Sequence, residues 1–125
     1  MLLPATYFAA TLPVLLTLYN LLMPKTIPLI GGQEAIVDSQ DFDYINQFIW
    51  YLDRKRQNIE NFIAIRIGHH SNGKAFIQSM HNDLIKVPPG MVIDHINSNS
   101  LDNRRSNLRV VTLQQNTWNR KPSSR

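Results

Sequence analysis

Two short apolar runs, at residues 91–93 and 108–111, enclose a stretch rich in Asn, Asp and Ser and are followed by a helix-start signal. No other feature limits the choice of fold as much. Each run has strand length, and the polar stretch between them is built from side chains that bond to nearby backbone and hold irregular turns. Thr112 is a good N-cap, and Gln115 three residues on completes a capping-box pattern. Strand, loop, strand and helix in that order predict an antiparallel ββα unit. Its first strand ends on Asp94-His95, and Asn116, one turn into the helix, can face back toward that end. A carboxylate, an imidazole and a side-chain amide are thereby brought within reach of each other.

The rest of the chain sets the surroundings of this unit. At 125 residues it suits one compact domain, or a small domain plus a tail, with a core large enough to stand without staples. The absence of cysteine excludes a disulfide framework and any thiolate zinc site, so a metal, if used, must take oxygen or nitrogen ligands. Residues 1–23 carry no charge and are mostly apolar, about the roughly 20 residues a bilayer-spanning helix needs. Pro4, Pro13 and Asn20 interrupt the run, and no basic segment precedes it, which favours a helical extension over residues 7–23 appended to a soluble module. The competing reading is a membrane anchor carrying a tethered interaction domain.

From Lys25 onward the pattern becomes mixed. Residues 26–29 and 35–37 read as strands around Gly31-Gly32, a pair suited to a turn with positive φ. Asp38 or Ser39 starts a short helix through Phe48, with Phe42, Ile45 and Phe48 at helical spacing. Strand character returns at 49–52, at 61–68, where Ile63, Ile65 and Ile67 alternate with Ala64 and Arg66, and at 75–78 after a turn at 71–74. A helix over 79–87 ends at Pro88-Pro89-Gly90. The middle therefore reads as a small antiparallel sheet.

The net charge of +4 is less informative than its distribution. Six of the nine acids lie between Glu34 and Glu60, whereas from Asn103 onward there are six bases and no acid. Such a one-signed segment attracts polyanions, and phosphate neutralisation by Arg and Lys is the main sequence-independent term in DNA binding. The plainer alternative is a solvated basic tail.

The run Val92-Ile93-Asp94-His95-Ile96-Asn97, with Leu101-Asp102-Asn103-Arg104-Arg105-Ser106-Asn107-Leu108-Arg109 and Gln115-Asn116, resembles the HNH endonucleases, in particular the group encoded in phage and self-splicing introns. Ile27-Pro28-Leu29, Ala35-Ile36-Val37-Asp38, Trp50-Tyr51, Met80-His81 and Pro88-Pro89-Gly90-Met91 resemble the N-terminal region of that group, so the likeness covers about residues 25–121. It implies that His95 is the general base, Asn107 the central Asn that orients the loop, and Asn116 the third motif position, here Asn in place of His. Asp94 and Asn116 would then offer hard oxygen ligands to a divalent ion, Mg²⁺ first and Mn²⁺ as the alternative, with no small-molecule cofactor. Arg104, Arg105, Arg109, Arg120 and Lys121 become the DNA-backbone contacts, and double-stranded DNA the partner.

The expected fold is α+β: a small antiparallel sheet region followed by a C-terminal ββα-metal (HNH) unit, with an apolar helical N-terminal extension. The expected divisions are the extension at 1–24, a strand-rich region gripping DNA at 25–87, the nuclease unit at 88–121 and a frayed tail at 122–125. The expected activity is metal-dependent hydrolysis of DNA phosphodiesters by a homing-type enzyme, soluble and intracellular with access to DNA. The rival is an inactive DNA-binding protein that keeps the HNH scaffold. Singly, each residue has a duller role: a surface His, a turn-forming Asn, a solvated helix amide. Asn119 rivals Asn116 for the metal position, and Asp102 rivals Asp94 more weakly. His69-His70 reads as a hairpin tip, His81 as a residue packing near the site, and Trp50, Tyr51 and Trp118 as core aromatics that could otherwise stack on bases.

Overall fold

The computed structural model describes residues 5–54 and 62–119, with side chains over 11–53 and 62–117. Among these residues four α-helices, α1 (Ala5–Leu22), α2 (Ser39–Asn46), α3 (Met80–Leu84) and α4 (Leu113–Asn119), and a 3-10 turn (Arg105–Asn107) accompany seven strands. The strands are β1 (Lys25–Pro28), β2 (Glu34–Val37), β3 (Tyr51–Arg54), β4 (Phe62–His69), β5 (Ala75–Ser79), β6 (Met91–His95) and β7 (Leu108–Thr112). The fold is mixed α+β, and every named strand pair is antiparallel. Where the sequence reads as one sheet before the ββα unit, the structure has two, β1-β2 and β3-β4-β5, with β6-β7 a third. The β1-β2 hairpin closes through Gly31, Gly32 and Gln33, which stand in succession at φ 111°, 93° and 65°.

The first hairpin is nevertheless the hub. Ile30 lies beside Tyr51, with the Ile30 amide donating to the Trp50 carbonyl at 2.9 Å and the Leu52 amide to the Ile30 carbonyl at 2.9 Å. On the other side, β2 accepts the loop of the ββα unit as a short parallel partner. The Ile36 amide donates to the Leu101 carbonyl, and the Asn103 amide to the Ile36 carbonyl, both at 2.8 Å. One apolar cluster follows this connection: Ile27, Val37, Ile45, Trp50 and Met80 share it with Leu101 and Leu108. It crosses the expected division at residues 87 and 88. Trp50 is core, buried with its indole N–H donating to the Ile45 carbonyl at 2.8 Å.

Helix α3 is shorter than the 79–87 helix predicted from sequence, because Ile85 is already extended ahead of the prolines. It is tied to β4 by Arg66, which donates to Asp83 Oδ2 at 2.6 Å and Oδ1 at 3.1 Å while its guanidinium lies 4.2 Å from the Phe48 ring centroid. This places His81. The His69-His70 pair lies at the β4-β5 turn, where the His70 amide donates to the Lys74 carbonyl, as expected of a hairpin tip. Helix α1 packs near α2, with the Ser39 hydroxyl donating to the Asn20 carbonyl, and leaves Leu12, Leu15, Leu18 and Leu22 exposed. No helix among the described residues is long and apolar enough to cross a membrane.

Candidate nuclease site

Strands β6 and β7 pair Asp94 with Arg109 and His95 with Leu108. The capping box read from sequence is present: the Gln115 amide donates to Thr112 Oγ1 at 3.1 Å, and the Thr112 amide to Gln115 Oε1 at 3.0 Å. It starts α4 directly at the end of β7 and lays that helix against β6 and β7. Asn116 is half-buried on this helix, and Asn119 ends it with its side chain outside the described residues.

At the end of β6, Asp94 accepts two hydrogen bonds from Arg109 on the same oxygen, Oδ2, at 2.9 Å from Nε and 2.7 Å from Nη2. His95 Nε2 lies 2.8 Å from Asn103 Oδ1, and its ring meets that of His81 edge-on, with centroids 5.1 Å apart. The sequence placed His81 near the site but gave no sign of the Asn103 contact. Asn97, Asn99, Asn103 and Asn107 are equivalent as letters in a polar loop, and only the path of the chain separates them.

The Asn107 side chain makes three hydrogen bonds among the described residues, all inside the loop. Its Oδ1 accepts from the Asn97 amide at 2.9 Å, and its Nδ2 donates to Asn97 Oδ1 at 2.9 Å and to the Asp102 carbonyl at 2.8 Å. Asp102 is buried at the centre of the same loop, gripped by Arg104 through Nε at 2.8 Å and Nη2 at 2.6 Å and by Asn97 Nδ2 at 2.8 Å. The Arg104 guanidinium, against the cost of burial, holds the Asp102 carboxyl below its ordinary range. Arg105 reaches across to α2: its Nε and Nη2 each donate to Asp41 at 2.9 Å, and its amide donates to Asp38 Oδ2 at 2.8 Å.

Each of the three described arginines expected to meet DNA therefore holds a carboxylate, Arg104 with Asp102, Arg105 with Asp41 and Arg109 with Asp94. Their side chains stay 38%, 46% and 44% exposed, so none is sequestered. Arg120 and Lys121 lie outside the described residues. Among the described residues no three His, Cys, Asp or Glu side chains gather as a metal cage. The Asp94 carboxylate stands at the end of β6, and the Asn116 amide is carried by α4, which packs on β6 and β7. Hard oxygens of this kind suit an ion that keeps much of its shell in water.

A hairpin that ends its first strand on Asp94-His95 and closes with a helix across both strands is a ββα arrangement consistent with an HNH-type fold. Residues 86–117 match the family model for HNH endonuclease. The chain is also similar to an uncharacterized HNH endonuclease of Acanthamoeba polyphaga mimivirus, 30% identical over 96 residues, an alignment taking in 74% of this chain and 46% of the relative. The chain thus spans about half the length of the curated relative it matches. No solved structure matches it.

Proposed function

We propose that this chain is a metal-dependent endonuclease of the homing type that hydrolyses phosphodiester bonds in double-stranded DNA. What supports this reading above all is that the segment matched to the HNH endonuclease family folds as a ββα unit with Asp94 and His95 together at the end of β6. His95 takes a proton from water, and the resulting hydroxide attacks phosphorus as the bond to the 3′ oxygen breaks, leaving a 5′-phosphate and, once that oxygen is protonated, a 3′-hydroxyl. Asp94 and Asn116 would hold a divalent ion, Mg²⁺ or Mn²⁺. When bound, the ion stabilises charge on the phosphate and on the departing oxygen.

Asn107 acts through the loop, holding Asn97 and the Asp102 carbonyl so that the chain leaves β6 in one direction. Arg104, Arg105, Arg109, Arg120 and Lys121 supply backbone contacts, the first three through whatever hydrogen-bonding capacity their carboxylates leave.

Nicking of supercoiled plasmid by the purified chain, titrated with Mg²⁺ and Mn²⁺ and stopped by EDTA, tests the proposal. His95→Ala is expected to abolish nicking while DNA affinity stays within a few-fold, and undiminished nicking by that variant would remove His95 as the base. DNA binding with no cleavage in either ion would leave only the scaffold.

A further inference from the structure

We infer that Asn103 is a positioning residue for His95: its side-chain carbonyl holds the imidazole in the Nε2–H tautomer and so leaves the lone pair on Nδ1 to receive the proton of the attacking water. The inference rests on the reading of His95 as the base. An amide oxygen accepts hydrogen bonds and donates none, so the 2.8 Å contact between Asn103 Oδ1 and His95 Nε2 requires hydrogen on Nε2. A neutral imidazole has one ring hydrogen, and with Nε2 donating, Nδ1 is the basic nitrogen.

Three observations separate this contact from an incidental one. The first is rigidity. Asn103 is 0% exposed, its amide is bonded to the Ile36 carbonyl on β2, and its neighbours Asp102 and Arg104 are locked in an ion pair. The carbonyl is therefore held in place before any substrate arrives.

The second is that the ring is restrained from another direction. His81 meets it edge-on, and α3, which carries His81, is anchored through Asp83 to Arg66.

The third is that Asn103 is a poor choice for stability alone. Its Nδ2 is buried with no hydrogen-bond partner among the described residues, which destabilises a fold. Asn107, by contrast, uses both ends of its amide and touches only the loop. A residue that leaves one end of its amide unmatched while the other meets the catalytic imidazole is placed for that imidazole.

The test is ¹⁵N NMR of the full chain with labelled histidine, recorded with the imidazoles neutral, beside steady-state cleavage. Wild type and Asn103→Asp, which keeps an acceptor, are expected to show His95 with a pyrrole-like Nε2 and a pyridine-like Nδ1. Asn103→Leu, close in size but without the acceptor, is expected to average the two tautomers. In cleavage, Asn103→Leu should lower kcat by about 10- to 100-fold with KM for DNA within about two-fold, a cost typical of losing the group that orients an imidazole ligand or base. Asn103→Asp should restore most of kcat. Hydrogen on Nδ1 in the wild type, or an unchanged tautomer in the Leu variant, overturns the inference. Should the Leu variant fail to fold, the wild-type and Asp spectra still decide it. A fixed tautomer in a chain that cuts no DNA would refute His95 as the base and leave the assignment of the tautomer standing.

Discussion

Asp102, together with Asn107, shows how a few buried polar side chains can hold a loop. Asp102 receives Arg104 through Nε and Nη2 at 2.8 and 2.6 Å and Asn97 at 2.8 Å, while residues 96–99 of the same loop are exposed. Because the Arg104 guanidinium depresses its folded value below the roughly 3.9 of an unfolded Asp, the stabilisation is fully present above about pH 4. It is lost as pH falls through the folded value. Asp102→Asn should therefore cost about 2 kcal/mol at pH 7, less than a fully buried pair because Arg104 is partly in water. The same variant should lose less stability than wild type between pH 4 and pH 2. Urea unfolding at about pH 7, 4 and 2 measures both effects, and equal acid sensitivity would show that another carboxylate dominates.

Among elements, α4 depends most visibly on local chemistry. Its first turn is closed by the reciprocal Thr112 and Gln115 bonds, and no acidic side chain in that turn assists its dipole. Thr112→Ala should destabilise the fold by about 1 kcal/mol, read as a lower urea midpoint at unchanged slope. It should also raise the Mg²⁺ concentration needed for half-maximal cleavage, because α4 carries Asn116. A stability loss with no change in ion requirement would detach Asn116 from the metal. Helix α3 is the opposite case. It is too short to stand alone, and it is held by the Arg66–Asp83 pair and by Met80 and Leu84 in the core.

At the scale of the whole molecule, Arg105 joins the loop of the ββα unit to α2 through Asp41 and Asp38, and Leu101 and Leu108 share the core cluster with Ile27 and Val37. The region before the prolines is thus a platform on which the site is assembled. Arg105→Gln separates the two roles open to this cation. It should lower stability by about 1 kcal/mol, as expected of a partly exposed pair, and reduce the slope of log affinity against log salt by about one, as expected of a lost phosphate contact. An unchanged slope would leave Arg105 only its pairing with Asp41.

The local pieces were legible in the residues: the β6 and β7 runs, the capping box at Thr112, the glycine turn at 31 and 32, and the Asp94-His95 pair at a strand end. Each depends on chemistry within a few positions of itself, so alternation, capping and breaker residues are enough to reveal it. What could not be read was which of four asparagines meets His95, which carboxylates answer the arginines, and how the predicted sheet divides. Those outcomes depend on contacts between residues far apart in the chain, Asn103 with Ile36 and Arg105 with Asp41 among them. Letters in a polar loop carry no record of such neighbours, because burial and direction are set only when the loop docks on β2.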